Sequence, residues 1–184
     1  MTFLDDQVYS GKHALITGGM GFIGSNLARR LLQLGAVVTI VDNLDPYYGG
    51  NPYNLHGIGK DVKVIIADIN DEARIGGILK NQDFLFNLAG QISHVGSMQD
   101  PHKDLQTNGF GQLSLLEMCR KHNENIRVVY SSTRQVYGRA QYLPVDEKHP
   151  LGPVDMNGVS KLTGEGYHLV SHRAYKMNTA ILRL

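Results

Sequence analysis

Short apolar runs recur along the chain, separated by stretches in which apolar residues return every three or four positions. The short runs predict buried strands at residues 14–17, 37–41, 64–67, 84–88, 128–131 and 179–184. The periodic stretches predict helices at residues 22–34, 105–122 and 159–175. Strands that are apolar on both faces and alternate with helices are typical of a parallel sheet. We therefore expect an α/β fold: a doubly wound parallel sheet with helices on both faces.

Composition and charge narrow the class of protein further. The chain has 184 residues, of which 42% are hydrophobic and 19% charged, and this balance predicts one domain, residues 1–184, with a packed core. A net charge of +1 leaves no broad basic surface, so nucleic acid is not an expected partner. No apolar run approaches the roughly 18 residues of a membrane helix, so no membrane association is expected. The single cysteine, Cys119, and an acidic N-terminus predict a cytoplasmic protein rather than a secreted one.

Glycine is enriched, at 21 of 184 residues, and part of the excess lies where the first predicted strand meets the first predicted helix. The residues there are Gly18-Gly19-Met20-Gly21-Phe22-Ile23-Gly24. Glycine allows the chain to turn sharply, and it lets backbone N–H groups at a helix N-terminus approach a phosphate group. This order of strand, glycines and helix predicts a dinucleotide-binding site; the alternative is a glycine-rich turn without a ligand.

Acidic residues follow the next two predicted strands. Asp42 ends the second strand, where a carboxylate can accept hydrogen bonds from both ribose hydroxyls of an adenosine and would repel a 2′-phosphate. Because no arginine lies beside it, Asp42 predicts NAD rather than NADP; the alternative is a turn residue before Asn43. Asp68 closes the third strand and predicts either an adenine contact or the N-cap of a helix.

Six short motifs occur in a fixed order along the chain. They are TGGMGFIG at 17–24, VDNL at 41–44, ADI at 67–69, NLAGQ at 87–91, YSSTRQVYG at 130–138 and NGVSKLTGE at 157–165. In this order and spacing, the chain resembles the extended short-chain dehydrogenases/reductases, in the group of NAD-dependent nucleotide-sugar epimerases and dehydratases. The resemblance implies a Rossmann fold, a tightly held NAD, a nucleotide-sugar substrate and transient oxidation of a sugar hydroxyl to a ketone.

The resemblance also implies which residues meet the cofactor and the substrate. The implied cofactor-binding residues are Gly18, Gly21, Phe22, Ile23, Gly24, Asp42, Asn43, Asp68, Ile69, Leu88, Ala89, Gly90 and Lys161. Among them, Lys161 is implied to contact the nicotinamide ribose. Thr133 is implied to contact the substrate hydroxyl.

Two departures from the family pattern affect the expected reaction. Four residues before Lys161, the family has a tyrosine that takes the proton from the sugar hydroxyl; this chain has Asn157, whose amide cannot act as a base near neutral pH. In the dehydratase branch an acidic pair follows the threonine, whereas Thr133 is followed by Arg134 and Gln135, which disfavours 4,6-dehydration. We therefore expect epimerase-like chemistry at Thr133, Asn157 and Lys161; the alternative is an NAD-binding domain with little or no turnover.

Family members have a second domain and a dimer interface in addition to the cofactor domain. The second, smaller domain is C-terminal and holds the sugar nucleotide. This sequence contains none of it, so we expect the chain to be a fragment or a stand-alone cofactor domain. The resemblance also implies a homodimer that pairs the helices at 101–122 and 159–175.

One pair of histidines has the spacing of metal ligands. His168 and His172 lie four positions apart on a predicted helix. No cysteine, glutamate or third histidine is placed by local spacing to complete a tetrahedral site. We therefore interpret both as surface histidines and predict no metal site.

Overall fold

The computed structural model describes residues 6–184, in which six parallel strands form a sheet. The strands are β1 (His13–Thr17), β2 (Val37–Asp42), β3 (Lys63–Ile66), β4 (Phe84–Asn87), β5 (Arg127–Ser132) and β6 (Asn178–Arg183). Their order across the sheet is β3-β2-β1-β4-β5-β6, so the chain reverses its direction of winding between β3 and β4. This is the doubly wound order of a Rossmann fold, and it confirms the predicted fold class.

Helices cover both faces of the sheet. They are α1 (Phe22–Gln33), α2 (Glu72–Leu79), α3 (His94–Gln99), α4 (Pro101–Leu105), α5 (Gly111–His122) and α6 (Met156–Tyr175). Successive side chains of β1 point to opposite faces. Leu15 packs with apolar residues of α2 and α5, whereas Ala14 and Ile16 pack with those of α1. α6 lies beside α5 and packs against β5 and β6.

Two helices begin earlier than the apolar period predicts. α6 begins at Met156, three residues early, because Asp155 caps it: the Asp155 carboxylate accepts a hydrogen bond of 2.7 Å from the backbone N–H of Gly158. The helix predicted from residue 105 begins at Pro101 and includes a wide π-turn, Gln106–Phe110, before α5. Capping residues lie outside the apolar pattern, so periodicity alone does not find these helix starts.

The apolar pattern misses α2 and α3 entirely. They contain eight and six residues, which is too short for a helical period to repeat. α3 also exposes its large apolar residues, Val95 and Met98. Polar caps mark both helix starts instead, because the side chains of Asp71 and Ser93 accept hydrogen bonds from the first turns of α2 and α3.

The edge strands differ from the prediction that every strand is buried on both faces. Val64 and Ile66 of β3 are exposed, and so is Leu182 of β6. An edge strand has a neighbouring strand on one side only, and helices cover it less completely than they cover the centre of a sheet.

Among residues 6–184, no helix combines the length and the apolar content that crossing a bilayer requires.

Candidate functional site

A cavity of about 570 Å³ opens where β1, β2, β4 and β5 end. Doubly wound sheets bind their ligands in the crevice outside the carboxyl ends of the strands. The cavity is lined by all the residues that the sequence singles out for the cofactor and for catalysis: Gly18, Gly21, Phe22, Ile23, Gly24, Asp42, Asn43, Asp68, Ile69, Leu88, Ala89, Gly90, Thr133, Asn157 and Lys161. The fold thus brings the six motifs together, and the roles of the single residues stay predictions.

Glycines form the turn between β1 and α1, which leads directly into the N-terminus of α1. Gly18 has φ +66°, and a Cβ atom there would lie 2.9 Å from the carbonyl oxygen of Leu88, so the position requires glycine. Gly21 is the N-cap of α1 and provides no side-chain hydrogen bond, so the first N–H groups of the helix lack an intrahelical acceptor. The first turn of α1 contains no acidic residue, and its positive dipole end is available to an anion.

The position of Asp42 is compatible with both roles predicted from the sequence, the contact with an adenosine ribose and the turn residue. Its Oδ2 accepts a hydrogen bond of 2.9 Å from the N–H of Met20, and its Oδ1 accepts one of 2.9 Å from the N–H of Leu44. The carboxylate therefore fixes the glycine turn and the turn that follows β2. Asp42 is buried but still lines the cavity. A carboxylate has about four lone-pair positions, so two remain for the hydroxyls of a ribose.

Asp68 is not the N-cap of a helix, and that alternative is wrong. Asp71 occupies the N-cap position of α2, because the chain turns once more between β3 and the helix. The Asp68 carboxylate closes this turn by accepting a hydrogen bond of 2.9 Å from the N–H of Asn70. Its other oxygen accepts one of 3.3 Å from the side chain of Asn43. Asp68 lines the cavity, and the adenine contact stays a prediction.

Lys103, a cation that no sequence motif marks, lines the cavity beside the loop after β2. Lys103 Nζ lies 2.9 Å from Oδ2 of Asp45 and 4.8 Å from the ring centroid of Tyr48. The hydrogen bond to Asp45 raises the pKa of Lys103, which therefore stays charged. These residues come from separate helix and loop segments, so no local spacing could have identified the contact. The prediction of NAD over NADP rests on the negative charge of Asp42 and does not include the positive charge of Lys103.

Lys161 is buried, with 6% of its surface exposed, and it lines the cavity from α6. Its Nζ donates a hydrogen bond of 3.0 Å to the carbonyl oxygen of Ser131. Burial lowers the pKa of Lys161 to about 8, although the nearby Asp104 carboxylate acts in the opposite direction. A Cβ atom on Gly90 would lie 2.9 Å from this Nζ, so glycine at that position keeps the ammonium group accessible.

Asn157 directs its two N–H donors into the protein. Its Nδ2 donates to the carbonyl oxygen of Gln91 at 2.9 Å, to Oε1 of the same residue at 3.0 Å and to Oδ2 of Asp104 at 3.0 Å. Within residues 6–184, the Asn157 Oδ1 atom has no hydrogen-bond partner. The residue lines the cavity, so its side chain can accept a hydrogen bond from a ligand but cannot take up a proton.

Thr133 lies directly after β5 and lines the cavity. Its Oγ1 accepts a hydrogen bond of 3.3 Å from the N–H of Gln135 and so caps the short helix Arg134–Tyr137. Gln135 also lines the cavity. The neighbouring Ser132 donates a hydrogen bond of 2.5 Å to Glu165 of α6 and holds the end of β5 against that helix. Thr133 therefore has a fixed backbone and a hydroxyl that can reach a ligand.

The interpretation of His168 as a surface residue is wrong. His168 is fully buried, and its ring stacks on that of Tyr130 at a centroid distance of 4.6 Å. It lies on the side of α6 that faces β5, seven residues after Lys161 and therefore on the same helical face. His172 is exposed, as expected. The residues from 6 to 184 contain no group of three or more histidine, cysteine or acidic side chains that could hold a metal ion.

Comparison with known proteins assigns this arrangement to a family. The profile of the family described as GDP-mannose 4,6 dehydratase matches residues 15–184. The chain belongs to this family. Its similarity to epimerases within the extended short-chain dehydrogenases/reductases confirms the resemblance predicted from the six motifs. A CDP-paratose 2-epimerase of Salmonella typhi is 33% identical to it over 189 residues, which cover 92% of this chain and 55% of the relative.

Solved structures of nucleotide-sugar epimerases have the same fold. The UDP-N-acetylglucosamine 4-epimerase of Methanobrevibacter ruminantium M1, in complex with UDP-N-acetylmuramic acid, is 32% identical, with a TM-score of 0.87 over 95% of this chain and 55% of that one. The UDP-glucose 4-epimerase of Brucella ovis, in complex with NAD, is 28% identical, with a TM-score of 0.86 over 94% of this chain and 51% of that one. This family member thus spans about half the length of its relatives.

Proposed function

We propose that this family member binds NAD and transiently oxidises a hydroxyl of a nucleotide sugar, by epimerase-like rather than 4,6-dehydratase chemistry. The observation that carries the proposal is the single cavity that brings together the glycine turn, Asp42, Thr133 and Lys161. The relatives support it, because one solved epimerase holds NAD and another holds a UDP-linked sugar acid.

The residues around the cavity fit NAD. The N-terminus of α1 provides N–H groups for the pyrophosphate, and Gly21 brings no side chain into the cavity at that point. Asp42 accepts from the adenosine ribose, and Lys161 donates to the nicotinamide ribose. When bound, NAD supplies an acceptor for the hydride of the sugar carbon. The chain's own contribution is to hold the reacting groups in register and to orient the sugar hydroxyl.

Two side chains orient the sugar hydroxyl. The Thr133 hydroxyl can both donate to it and accept from it, and the Asn157 Oδ1 atom can accept from it. The Lys161 ammonium, which donates to Ser131, adds a positive charge that favours the developing alkoxide. None of these groups takes up the proton in this arrangement, because a threonine hydroxyl and an amide are not bases and the lysine is mainly protonated near neutral pH.

Epimerase-like chemistry is favoured over 4,6-dehydration by the residues that follow Thr133. Elimination of water needs a group that donates a proton and a group that removes one. Arg134 is exposed, and Gln135 carries an amide that does neither. The competing proposal is an NAD-binding domain with little or no turnover. It draws on Asn157, whose amide is held by Gln91 and Asp104 and cannot replace a tyrosine as a base.

Titration of the purified protein with nicotinamide cofactors and with sugars tests the proposal. By calorimetry we expect NAD to bind at least about 10-fold more tightly than NADP, because a like charge at Asp42 costs the 2′-phosphate on the order of 1–4 kcal/mol. Equal or tighter binding of NADP would show that Lys103 outweighs Asp42. We then expect UDP-glucose to reduce the bound cofactor, which is measured by the absorbance of reduced nicotinamide. Binding of NAD without reduction by any UDP-, CDP- or GDP-linked sugar would favour the domain without turnover.

We further propose that the protein forms a homodimer through α5, α6 and the segment that precedes α5. Phe110 and Leu113 are three residues apart on one helical face, and Val159 and Val170 share a face of α6. All four are exposed in the single chain, and exposed apolar faces of this kind mark interfaces. Analytical ultracentrifugation should show a dimer at micromolar concentrations that Val170→Asp converts to a monomer. A monomeric parent protein would contradict the proposal.

We also propose a cytoplasmic location. Cys119 is the only cysteine of the sequence and is fully buried in the core. Burial raises the pKa of its thiol to about 12, so the thiol is unreactive near neutral pH. A lone, reduced and buried cysteine is typical of proteins from reducing compartments.

A further inference from the structure

The imidazole of His94, at the start of α3, is held between two side chains from distant parts of the chain. Its Nδ1 lies 2.5 Å from Oδ2 of Asp155, and its Nε2 contacts the side-chain amide nitrogen of Gln135. Asp155 is the N-cap of α6, two residues before Asn157, and Gln135 follows Thr133 by two residues. The ring thus connects the two segments that carry the side chains proposed to orient the sugar hydroxyl.

These two contacts select one form of the His94 ring. A carboxylate can only accept hydrogen bonds, so the neutral ring carries its proton on Nδ1 and donates it to Asp155. Nε2 then holds a lone pair, which accepts from the amide N–H of Gln135. A histidine with a carboxylate behind Nδ1 and a lone pair on Nε2 can take up a proton, because the carboxylate stabilises the imidazolium that forms.

The Nε2 atom of His94 contacts Gln135, and Gln135 lines the cavity. The His94 side chain itself is 51% exposed. The Oε1 atom of Gln135 is buried without a hydrogen-bond partner among residues 6–184, and an unsatisfied group of this kind costs about 1–3 kcal/mol. Displacement of the Gln135 amide by a ligand would uncover Nε2, and a ligand hydroxyl could then take the place of the amide.

We propose that His94, oriented by Asp155, is the catalytic residue that accepts the proton of the sugar hydroxyl during oxidation. The proposal rests on the proposed function and removes its main difficulty, since Thr133, Asn157 and Lys161 include no group ready to take up that proton. His94 is the first residue of α3 and lies 63 residues before Asn157 in the sequence. The proposed proton acceptor therefore belongs to α3 and not to α6, the helix that carries Lys161.

The step balances in protons and electrons. The O–H bond of the sugar breaks, its electron pair forms the second bond of a ketone, and its proton forms an N–H bond at Nε2 of His94. The hydrogen on the same sugar carbon leaves with its electron pair to the nicotinamide of NAD. Reversal returns both, with the proton passing from His94 to the carbonyl oxygen. The imidazolium that exists between the two steps pairs with the Asp155 carboxylate.

Nitrogen NMR of the protein labelled in its histidines tests the arrangement without any turnover. The signals of His94 are assigned by their loss in His94→Gln. We expect neutral His94 to carry its proton on Nδ1. In Asp155→Asn, the oxygen of the new amide still caps α6, because asparagine is as good an N-cap as aspartate. Its N–H₂ group then donates to Nδ1 and moves the ring proton to Nε2. A parent protein with the proton on Nε2 would overturn the proposal, since Nε2 would hold no lone pair to accept the proton.

Turnover is the second test, with UDP-glucose as the probe and NAD affinity measured in parallel. His94→Gln and Asp155→Asn should each lower the rate of cofactor reduction by about 10²- to 10⁴-fold, the effect of losing a positioned base, and leave NAD affinity unchanged. Imidazole added to His94→Ala should restore part of the rate. His172→Gln, an exposed histidine on α6, serves as the control and should match the parent.

The outcomes separate this proposal from the proposed function. If the parent protein reduces NAD with UDP-glucose and His94→Gln does so equally fast, His94 is not the proton acceptor and the proposed function stands. If the parent binds NAD but no nucleotide sugar reduces it, the proposed function fails and the role of His94 fails with it. Loss of NAD affinity in His94→Gln would also overturn the proposal, because the ring would then support the cofactor site rather than the proton transfer.

Discussion

Gly21→Val should lower the affinity for NAD by about 100-fold or more and leave the fold intact. The backbone of Gly21 has φ −78° and ψ 178°, which any residue adopts, and a Cβ atom there would meet only the carbonyl oxygen of Gly18, at 3.3 Å. The branched side chain would, however, occupy the cavity at the N-terminus of α1. Two N–H bonds to a charged phosphate, worth about 1.5–3 kcal/mol each, would be blocked. Calorimetry measures the affinity, and circular dichroism checks the fold.

Two other glycines provide the controls. Gly77→Val introduces the same side chain on α2, where a Cβ atom meets nothing within 4 Å, and it should leave NAD affinity unchanged. Gly24→Ala should instead damage the fold, because its Cβ atom would lie 2.4 Å from the carbonyl oxygen of Gly18 and 2.7 Å from the Cα atom of Gly19. If Gly21→Val binds NAD as tightly as the parent protein, the pyrophosphate does not lie at this turn.

The glycine turn, the strand-end carboxylates and the motif residues of α6 could be placed from the sequence because each is local. A strand, a turn and a helix in register fix where Gly18 and Gly21 lie, and the end of β2 fixes Asp42. The parallel sheet then brings these ends together without further information. Local sequence motifs were therefore enough to predict the fold class and many of the residues that line the cavity.

Contacts between distant segments could not be placed in this way. The pairing of His94 with Asp155 spans 61 residues, and the contact of Asp104 with Asn157 spans 53. Both depend on how α3 and α4 dock against the start of α6, and neither short helix has an apolar period. These contacts, and not the identity of the residue, orient the Asn157 side chain and leave its Oδ1 atom without a partner among residues 6–184.

His168 illustrates a different failure of the apolar pattern. The buried stripe of α6 is made of polar and small residues: Asn157, Gly158, Ser160, Lys161, Gly164, Glu165, His168 and Ser171. A pattern that counts apolar residues reads such a stripe as a solvated face. Helical spacing from Lys161 would have found it, since residues seven apart share a face.

The free energy of unfolding should fall in mild acid because of His168. Burial lowers the pKa of this histidine from 6.5 to about 4, and the positive charge of Lys161 acts in the same direction. Between these values the unfolded chain binds a proton that the folded chain does not, so the contribution is fully present above pH 6.5 and is lost as the pH falls toward 4. One proton over this interval corresponds to about 3 kcal/mol.

Urea unfolding of the parent protein and of His168→Phe, at a series of pH values from 7 to about 4, measures this contribution. Phenylalanine keeps the stacking on Tyr130 and loses no hydrogen bond, since neither ring nitrogen of His168 has a partner among residues 6–184. The variant should therefore lose about 3 kcal/mol less stability than the parent across the interval. His172→Phe places the same substitution at an exposed position of α6 and serves as the control. An unchanged acid dependence in His168→Phe would mean that the ring protonates as readily in the folded protein as in the unfolded chain. Burial of His168 against Tyr130 would then not oppose the charged form of the imidazole.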